Sequence, residues 1–175
     1  MNSEFRIQNS EFQKLAFIAL GSNLGDSRPI ILQALARLQA FSDVPLLQSS
    51  LWQTTPVDCP PGSPKFVNAM AGLVPRKGET PESLLKKLQA LEKEFGRQPI
   101  KIPNAPRRLD LDLIAFGSET RNSPEIVLPH PRARRRKFVL QPLAEIAPDL
   151  VLPGGRQNVA ELLAALPADE TAVRL

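Results

Sequence analysis

Apolar residues occur along the chain in short runs, some continuous and some alternating, and such runs predict β-strands. The predicted strands cover residues 15–20, 46–54, 65–74 and 109–116. None of the apolar runs approaches the roughly 20 residues that a membrane-spanning helix needs. Because 42% of the 175 residues are hydrophobic, the chain can bury a substantial core, and we expect a single globular domain built around a sheet.

Between these strands, apolar residues recur with a period near 3.6, which predicts amphipathic helices. The first helix follows Asp26, and the second begins at an N-cap on Thr80 and ends at Gly96. Later helices are predicted at residues 132–140 and 158–166. Pro142 is expected to break or bend the first of these two helices.

The order of the predicted elements is βαββαβα followed by a helical tail. This order predicts an α+β fold, a ferredoxin-like two-layer sandwich with a mainly antiparallel sheet and helices packed on it. We expect residues 15–167 to form this domain and residues 168–175 to be a tail. Residues 1–14 contain the sequence Asn-Ser-Glu-Phe twice, and we expect them to be a disordered or artificial extension.

The charge of the chain restricts its partners. The net charge is +4, and arginines crowd two stretches, residues 97–108 and 132–137. A basic balance favours a polyanion, and the planar fork of arginine suits phosphate oxygens. Aromatic residues do not interleave with these arginines, which disfavours binding of single-stranded nucleic acid by stacking. We therefore expect a nucleotide ligand, with neither a nucleic acid nor a membrane as partner.

The single cysteine, Cys59, excludes a disulfide framework within the chain and a cysteine-rich zinc site. A reducing compartment fits this composition. The N-terminus lacks the apolar block of a secretory signal. We expect a cytoplasmic protein.

Two aspartates carry the clearest chemistry. Asp110 and Asp112 alternate with leucines along the last predicted strand, so both carboxylates point to one face, with about 6–7 Å between their Cα atoms. Like charges at this spacing repel each other unless a cation lies between them. Mg²⁺ suits the position because it binds one or two carboxylates together with substrate phosphates, which Arg107 could also hold. The alternative is an exposed strand whose outer face is simply polar.

Other interpretations of the basic and polar residues stay open at this point. The stretch 132–137 fits a solvated helix face, a nucleic-acid patch or a polyphosphate clamp. His130, the only histidine, fits a structural role or a contact with a phosphate or a base. An Asp-x-Asp glycosyltransferase would also use paired aspartates and a metal, although it usually needs a longer chain. A small RNA-binding domain would explain the basic charge.

Short motifs typical of one known family follow one another in order between roughly residues 15 and 152. They are ALGSNLG at 19–25, SSLWQTTP at 49–56, FVNA at 66–69, LE to FGR at 91–97, PRRLDLDL at 106–113, LPHP at 128–131, RKFVL at 136–140 and PLAEIAP at 142–148. With these motifs the chain resembles the 6-hydroxymethyl-7,8-dihydropterin pyrophosphokinase family of folate biosynthesis. The resemblance implies an ATP-dependent diphosphokinase that transfers the β,γ-diphosphate of ATP to the pterin hydroxymethyl group and releases AMP.

The resemblance also implies roles for individual residues. Asp110 and Asp112 would bind two Mg²⁺ ions, and Arg97 and Arg107 would complete the catalytic set by holding the transferring phosphates. The residues implied for ATP binding are Glu92, Arg97, Arg107, Leu113, His130 and Arg136. The residues implied for pterin binding are Thr54, Val57, Phe66, Asn68 and Phe138, with Asn68 at the edge of the ring and the two phenylalanines on its faces.

The chain departs from the family pattern at two places beside the implied site. Asn104 stands where many members have Trp, and Pro131 stands where many have Tyr. The implied mechanism is in-line attack of the pterin hydroxyl on the β-phosphorus without a strong general base, catalysed mainly by positioning and charge neutralisation. Loops 55–64 and 98–104 are expected to be lids over the site of a monomeric enzyme.

Overall fold

The computed structural model describes residues 9–99 and 101–175. Its strands are β1 (Ala16–Ser22), β2 (Leu47–Gln48), β3 (Trp52–Thr54), β4 (Phe66–Leu73), β5 (Asp110–Phe116), β6 (Arg121–Asn122), β7 (Val127–Leu128) and β8 (Ala172–Arg174). In the main sheet β5, β1, β4, β3 and β8 lie side by side in that order, and β2 also pairs with β4. β6 and β7 form a separate hairpin, and all of these pairings are antiparallel.

The helices are α1 (Asn9–Phe12), α2 (Ser27–Leu38), α3 (Pro81–Glu94), α4 (Lys137–Ile146) and α5 (Val159–Ala164). Single 3₁₀ turns occur at Gln39–Phe41 and Ala133–Arg135. Within the described ranges, none of the helices combines the length and the apolar character that crossing a membrane requires.

The sheet carries helices on both faces because β1 is apolar on both faces. Ile18 and Leu20 pack in one core with α2 and α3, whereas Phe17 and Ala19 pack in a second core with α4 and the start of α5. A strand buried on both sides needs cover on both sides. The predicted α+β fold with a mainly antiparallel sheet is therefore confirmed, but the prediction of two layers is wrong.

The predicted helix starts are confirmed where an N-terminal capping motif marks them. Thr80 Oγ1 accepts a hydrogen bond from the Ser83 N–H at 3.1 Å, and Ser83 Oγ accepts one from the Thr80 N–H at 2.9 Å. Asn158 and Glu161 form the same reciprocal box at the start of α5. That helix ends at Ala164, two residues before the predicted end.

Two predicted elements have different boundaries. Residues 132–140 are not one helix: a 3₁₀ turn ends at Arg135, and α4 continues through Pro142. Proline has a backbone angle that suits a helix, and the burial of Pro142 on α4 offsets the one lost hydrogen bond. The predicted strand 46–54 is interrupted at Ser49, whose Oγ accepts a hydrogen bond from the Met70 N–H at 2.8 Å in place of a backbone carbonyl.

Both ends of the described chain pack against the domain, outside the expected limits of residues 15 and 167. Phe12 is only 2% exposed, and its ring lies 6.2 Å from the ring of Phe17. At the other end, Arg174 of β8 pairs with Trp52 of β3, so residues 172–174 are a strand of the sheet. The part of the expected extension at residues 1–8 lies outside the described residues.

Candidate active site

A cavity of about 220 Å³ lies at the end of the sheet where β4 and β5 begin and β1 ends. Most of the residues implied by the sequence motifs line it: Val57, Phe66, Asn68, Arg97, Arg107, Asp110, Asp112, His130, Arg136 and Phe138. These residues bring two aromatic rings and an amide together with two carboxylates and three guanidinium groups.

β1 holds the two halves of the cavity together because it lies between β4 and β5. Gly21 of β1 pairs with Asn68 on one side and with Asp110 on the other. A Cβ atom at Gly21 would lie only 3.0 Å from Asn68 Oδ1, so a larger residue would displace the amide. Alternation along β4 puts Phe66 on the same face as Asn68. Along β5 it puts Asp112 on the same face as Asp110.

The two carboxylates have different partners. Asp110 Oδ1 accepts a hydrogen bond from Arg97 Nη1 at 2.7 Å and lies 3.3 Å from Arg107 Nη1. No described residue donates a hydrogen bond to the Asp112 carboxylate. Burial raises the pKa of Asp112 to about 6, and the charge of Asp110 adds to this effect, whereas Arg136 opposes it. Asp112 is therefore a partly buried acid that a bound cation would stabilise in its charged form.

Arg107 lines the cavity and carries a donor without a partner in the described part of the chain. Its Nε is buried and, among the described residues, has no hydrogen-bond partner. Its backbone is held in place by Asn23, whose Oδ1 accepts a hydrogen bond from the Arg107 N–H at 3.0 Å. A buried donor without an acceptor is costly, so an anion with several oxygen atoms fits this position. The sequence motifs indicated no role for Asn23, although the residue lies in the Gly-Ser-Asn motif.

Glu92 does not line the cavity but supports it from behind. Glu92 Oε1 accepts hydrogen bonds from Arg97 Nη1 at 2.8 Å and from the Leu111 N–H at 2.7 Å. Burial raises the pKa of Glu92 to about 7, although the Leu111 amide and the charge of Arg97 act in the opposite direction. Glu92 and Asp110 therefore hold the same guanidinium nitrogen between them.

Thr54 also lies behind the cavity. Asn68 donates a hydrogen bond from Nδ2 to Thr54 Oγ1 at 2.5 Å, and both residues are buried. This bond fixes which end of the amide is which, so Asn68 Oδ1 and the second N–H stay available for a ligand. Thr54 thus acts on the cavity through Asn68.

Leu113 lies in a core and lines a neighbouring cavity of about 260 Å³. Asp112, His130 and residues 124–127, which lead into β7, also line this second cavity. His130 and Asp112 line both cavities, so the two spaces meet at these side chains.

His130 and Arg136 form the basic side of the main cavity. Burial lowers the pKa of His130, and the charges of Arg136 and Arg132 lower it further, so the imidazole is neutral near pH 7. His130 Nδ1 accepts a hydrogen bond from the Arg132 N–H at 3.3 Å, which assigns the ring proton to Nε2. The guanidinium of Arg136 lies 5.3 Å from the centre of the Phe138 ring.

Six lining residues were given no site role from the sequence, namely Ala19, Leu20, Gly21, Thr55, Cys59 and Arg132, and Asn104, which was expected beside the site, also lines the cavity. Asn104 donates a hydrogen bond from Nδ2 to the Asp58 carbonyl at 2.8 Å and so joins the two predicted lid loops. Both residues have left-handed backbones, with φ of 56° at Asn104 and 52° at Asp58. Asn and Asp tolerate this conformation better than most residues, so an Asn and an Asp in these loops could have indicated tight turns.

Among the described residues that line the cavity, Asp110 and Asp112 are the only carboxylates. Within the described ranges, no group of three or more His, Cys, Asp or Glu side chains could hold a metal ion. A pair of carboxylates next to basic groups still fits Mg²⁺, because this ion commonly takes its other ligands from water and phosphate.

Comparison with known proteins identifies relatives of the whole domain. The family model for 7,8-dihydro-6-hydroxymethylpterin-pyrophosphokinase matches residues 17–148. The 2-amino-4-hydroxy-6-hydroxymethyldihydropteridine pyrophosphokinase of Pseudomonas aeruginosa is 41% identical over 152 residues, which are 86% of this chain and 91% of that protein. The folic acid synthesis protein fol1 of Pneumocystis carinii is 37% identical over 152 residues, or 87% of this chain and 20% of that protein.

Solved structures agree in fold. A triple mutant of Plasmodium falciparum HPPK-DHPS with pteroate superposes with a TM-score of 0.67 at 13% sequence identity. The match covers 93% of this chain and 44% of that chain. The chain therefore spans less than half of that Plasmodium protein and a fifth of the Pneumocystis relative.

Proposed function

We propose that this chain, which belongs to the 7,8-dihydro-6-hydroxymethylpterin-pyrophosphokinase family, is an ATP-dependent diphosphokinase. It would transfer the diphosphate of ATP to 6-hydroxymethyl-7,8-dihydropterin and release AMP. The observation that carries the proposal is the composition of one cavity. Phe66, Asn68 and Phe138 offer what a flat heterocycle with polar edges needs, and the aspartates and arginines offer what a polyphosphate needs.

On the acceptor side, we propose that Phe66 and Phe138 contact the two faces of the pterin ring and that Asn68 binds its edge. The buried bond to Thr54 supports this role because it holds the amide in one orientation before the ligand arrives. Val57 lines the same cavity and would add an apolar contact.

On the nucleotide side, we propose that Arg97, Arg107 and Arg136 bind the phosphates and that His130 and Leu113 contact the remainder of ATP. The unpartnered buried Nε of Arg107 supports this assignment. His130 lines both cavities, which supports a nucleotide that extends from the main cavity into the neighbouring one beside Leu113. Glu92 would contribute through Arg97.

Asp110 and Asp112 would hold Mg²⁺, and we propose two ions. The fit rests on two carboxylates that line one cavity together with arginines, and no described donor neutralises the charge of Asp112 by a hydrogen bond. Bound Mg²⁺ would neutralise charge on the phosphate oxygens and orient the triphosphate. We propose that the chain's own groups act by position: Asn68 and the rings aim the pterin hydroxyl at the β-phosphorus, and the arginines stabilise the charge that develops.

We also propose a ferredoxin-like core, a monomeric state and a cytoplasmic location. The strand order β5-β1-β4-β3 with α2 and α3 on one face supports a ferredoxin-like arrangement, to which α4 and α5 add a further layer. The proposal of a monomeric enzyme rests on the sequence. The proposal of a cytoplasmic protein rests on the sequence.

The direct test is to identify the nucleotide product. The chain is incubated with ATP, Mg²⁺ and 6-hydroxymethyl-7,8-dihydropterin, and nucleotides are separated by chromatography. We expect AMP to appear in equal amount with the pterin diphosphate and to be absent when the pterin is omitted. ADP in place of AMP would refute diphosphate transfer.

The hydrogen bond between Asn68 and Thr54 makes a second test possible. We expect Thr54→Val to raise the KM for the pterin about tenfold, because the Asn68 amide loses the partner that orients it and a buried donor is left unsatisfied. Thr54→Ser retains the hydroxyl and should stay within about twofold of the original protein. Steady-state AMP release at varied pterin measures both, and equal KM values for the two variants would contradict the assignment.

A further inference from the structure

Helix α4 begins at the cavity, but its own sequence does not complete its first turn. Arg136 is the N-cap residue and its side chain makes no capping hydrogen bond. The first turn also contains no acidic residue. The first N–H groups of a helix need acceptors and favour a negative charge beside them. Two cavity-lining residues, Arg136 and Phe138, lie at this incompletely capped end.

Glu170 supplies the missing acceptor from a distant part of the chain. Its Oε2 accepts a hydrogen bond from the Lys137 N–H at 3.2 Å, and its backbone carbonyl accepts one from Lys137 Nζ at 3.0 Å. Lys137 lies between Arg136 and Phe138 in the sequence. A single acidic residue therefore holds both the backbone and the side chain at the first helical position.

The segment that carries Glu170 is anchored to the other side of the cavity. The Thr55 N–H donates to the Thr171 carbonyl at 3.4 Å, and the Thr171 N–H donates to Thr55 Oγ1 at 3.5 Å. Thr55 lines the cavity and begins one of the two loops expected to be lids. The C-terminal segment thus ties the start of α4 to the start of that loop.

The far end of the same segment is fixed as well. Arg174 Nη2 lies 3.6 Å from Glu145 Oε1 near the end of α4. Glu145 Oε2 also accepts hydrogen bonds from Trp52 Nε1 at 2.9 Å and from the Ser50 N–H at 3.0 Å. With β8 paired to β3, residues 170–174 are held at both ends, so Glu170 can act as a rigid acceptor.

We propose that Glu170 is a positioning residue, which caps α4 from the C-terminal strand and thereby holds Arg136 and Phe138 in place for substrate. The role in substrate binding rests on the proposed function, whereas the capping contact stands on the structure. Glu170 acts through Lys137 and is not itself a lining residue of the cavity.

Three variants separate this role from general stability. We expect Glu170→Ala to raise the KM for the pterin about fivefold, the factor equivalent to about 1 kcal/mol, which is typical of a lost N-cap. The kcat should change less than about twofold, because a less firmly held binding side chain weakens the binding of the substrate and of the transition state by similar amounts. Glu170→Gln keeps an acceptor oxygen and should restore most of the affinity. Asp169→Ala, the matched control, removes the exposed neighbouring carboxylate and should change neither constant.

The capping contact has a readout that does not depend on catalysis. Hydrogen exchange followed by NMR should show a faster-exchanging Lys137 amide in Glu170→Ala than in Glu170→Gln or Asp169→Ala. Unchanged exchange in Glu170→Ala, or the same rise in KM for Glu170→Ala and Glu170→Gln, would overturn the proposal. If the original protein released no AMP, the proposed function would fail, and the exchange experiment would still decide the capping role.

Discussion

Asp112→Asn is expected to reduce AMP formation by about a thousandfold while leaving the domain folded. Asn has the shape of Asp but carries no charge and is a poor Mg²⁺ ligand. The change removes the one carboxylate of the pair to which no described residue donates a hydrogen bond. Steady-state AMP release at saturating ATP, Mg²⁺ and pterin measures the effect.

The same change should stabilise the protein in the absence of metal. The pKa of Asp112 is raised from 3.8 to about 6, so between these values the folded state binds more protons than the unfolded chain. Stability therefore falls as pH rises through this window, and the loss is complete above about pH 6. We expect Asp112→Asn to be more stable than the original protein at pH 8 by on the order of 1–2 kcal/mol, with no such gain near pH 4.

Thermal unfolding at the two pH values without divalent metal measures this gain. Asp43→Asn is the control, because it makes the same substitution in an exposed ion pair with Arg76 and should affect neither stability nor turnover appreciably. Unchanged AMP formation in Asp112→Asn would refute the metal-binding role. A loss of stability at pH 8 would instead mean that Asp112 is a structural anion.

Sequence patterns predicted the parts of this protein that depend on local periodicity. The alternation of leucines with Asp110 and Asp112 predicted a strand with both carboxylates on one face, and β5 has this arrangement, with both residues lining the cavity. Thr80 and Asn158 marked helix starts for the same reason, because a capping side chain forms its hydrogen bond with the residue three positions later.

What the patterns missed depends on contacts between distant residues. A motif implied that Thr54 and Glu92 belong to the site, but it could not indicate that each lies one layer behind a lining side chain. Residues 16–20 of β1 are all apolar, and this pattern fits a strand covered on one face or on both until the partners of both faces are known. Strand β8 has three residues, and within the described part of the chain its one strand partner is the distant β3, so no local signal marks it.

Glu92 is buried and accepts a hydrogen bond from Arg97, so replacing Arg97 should affect both catalysis and stability. We expect Arg97→Met to slow AMP formation by at least about a hundredfold, because a guanidinium that stabilises developing phosphate charge is removed. The variant should also lose about 2–3 kcal/mol of stability, since Glu92 then lies buried with the Leu111 amide as its remaining donor. Because burial already raises the pKa of Glu92, this loss should grow as pH rises from 5 to 8.

A control shows how much of this loss depends on burial. Arg37→Met makes the same substitution in an ion pair with Glu94 whose side chains are about half exposed, at 54% and 52%. Exposed pairs contribute little, so we expect a loss below about 1 kcal/mol and normal AMP release. Chemical denaturation at pH 5 and pH 8 compares the two variants.

The double variant Arg97→Met with Glu92→Gln separates the two roles of the guanidinium. Gln keeps an oxygen for the Leu111 amide but carries no charge that needs a cation, so most of the lost stability should return. AMP formation should stay as low as in Arg97→Met, because nothing replaces the charge beside Asp110. If turnover returned together with stability, Arg97 would serve only to neutralise Glu92, and the phosphates would be held by Arg107 and Arg136 without it.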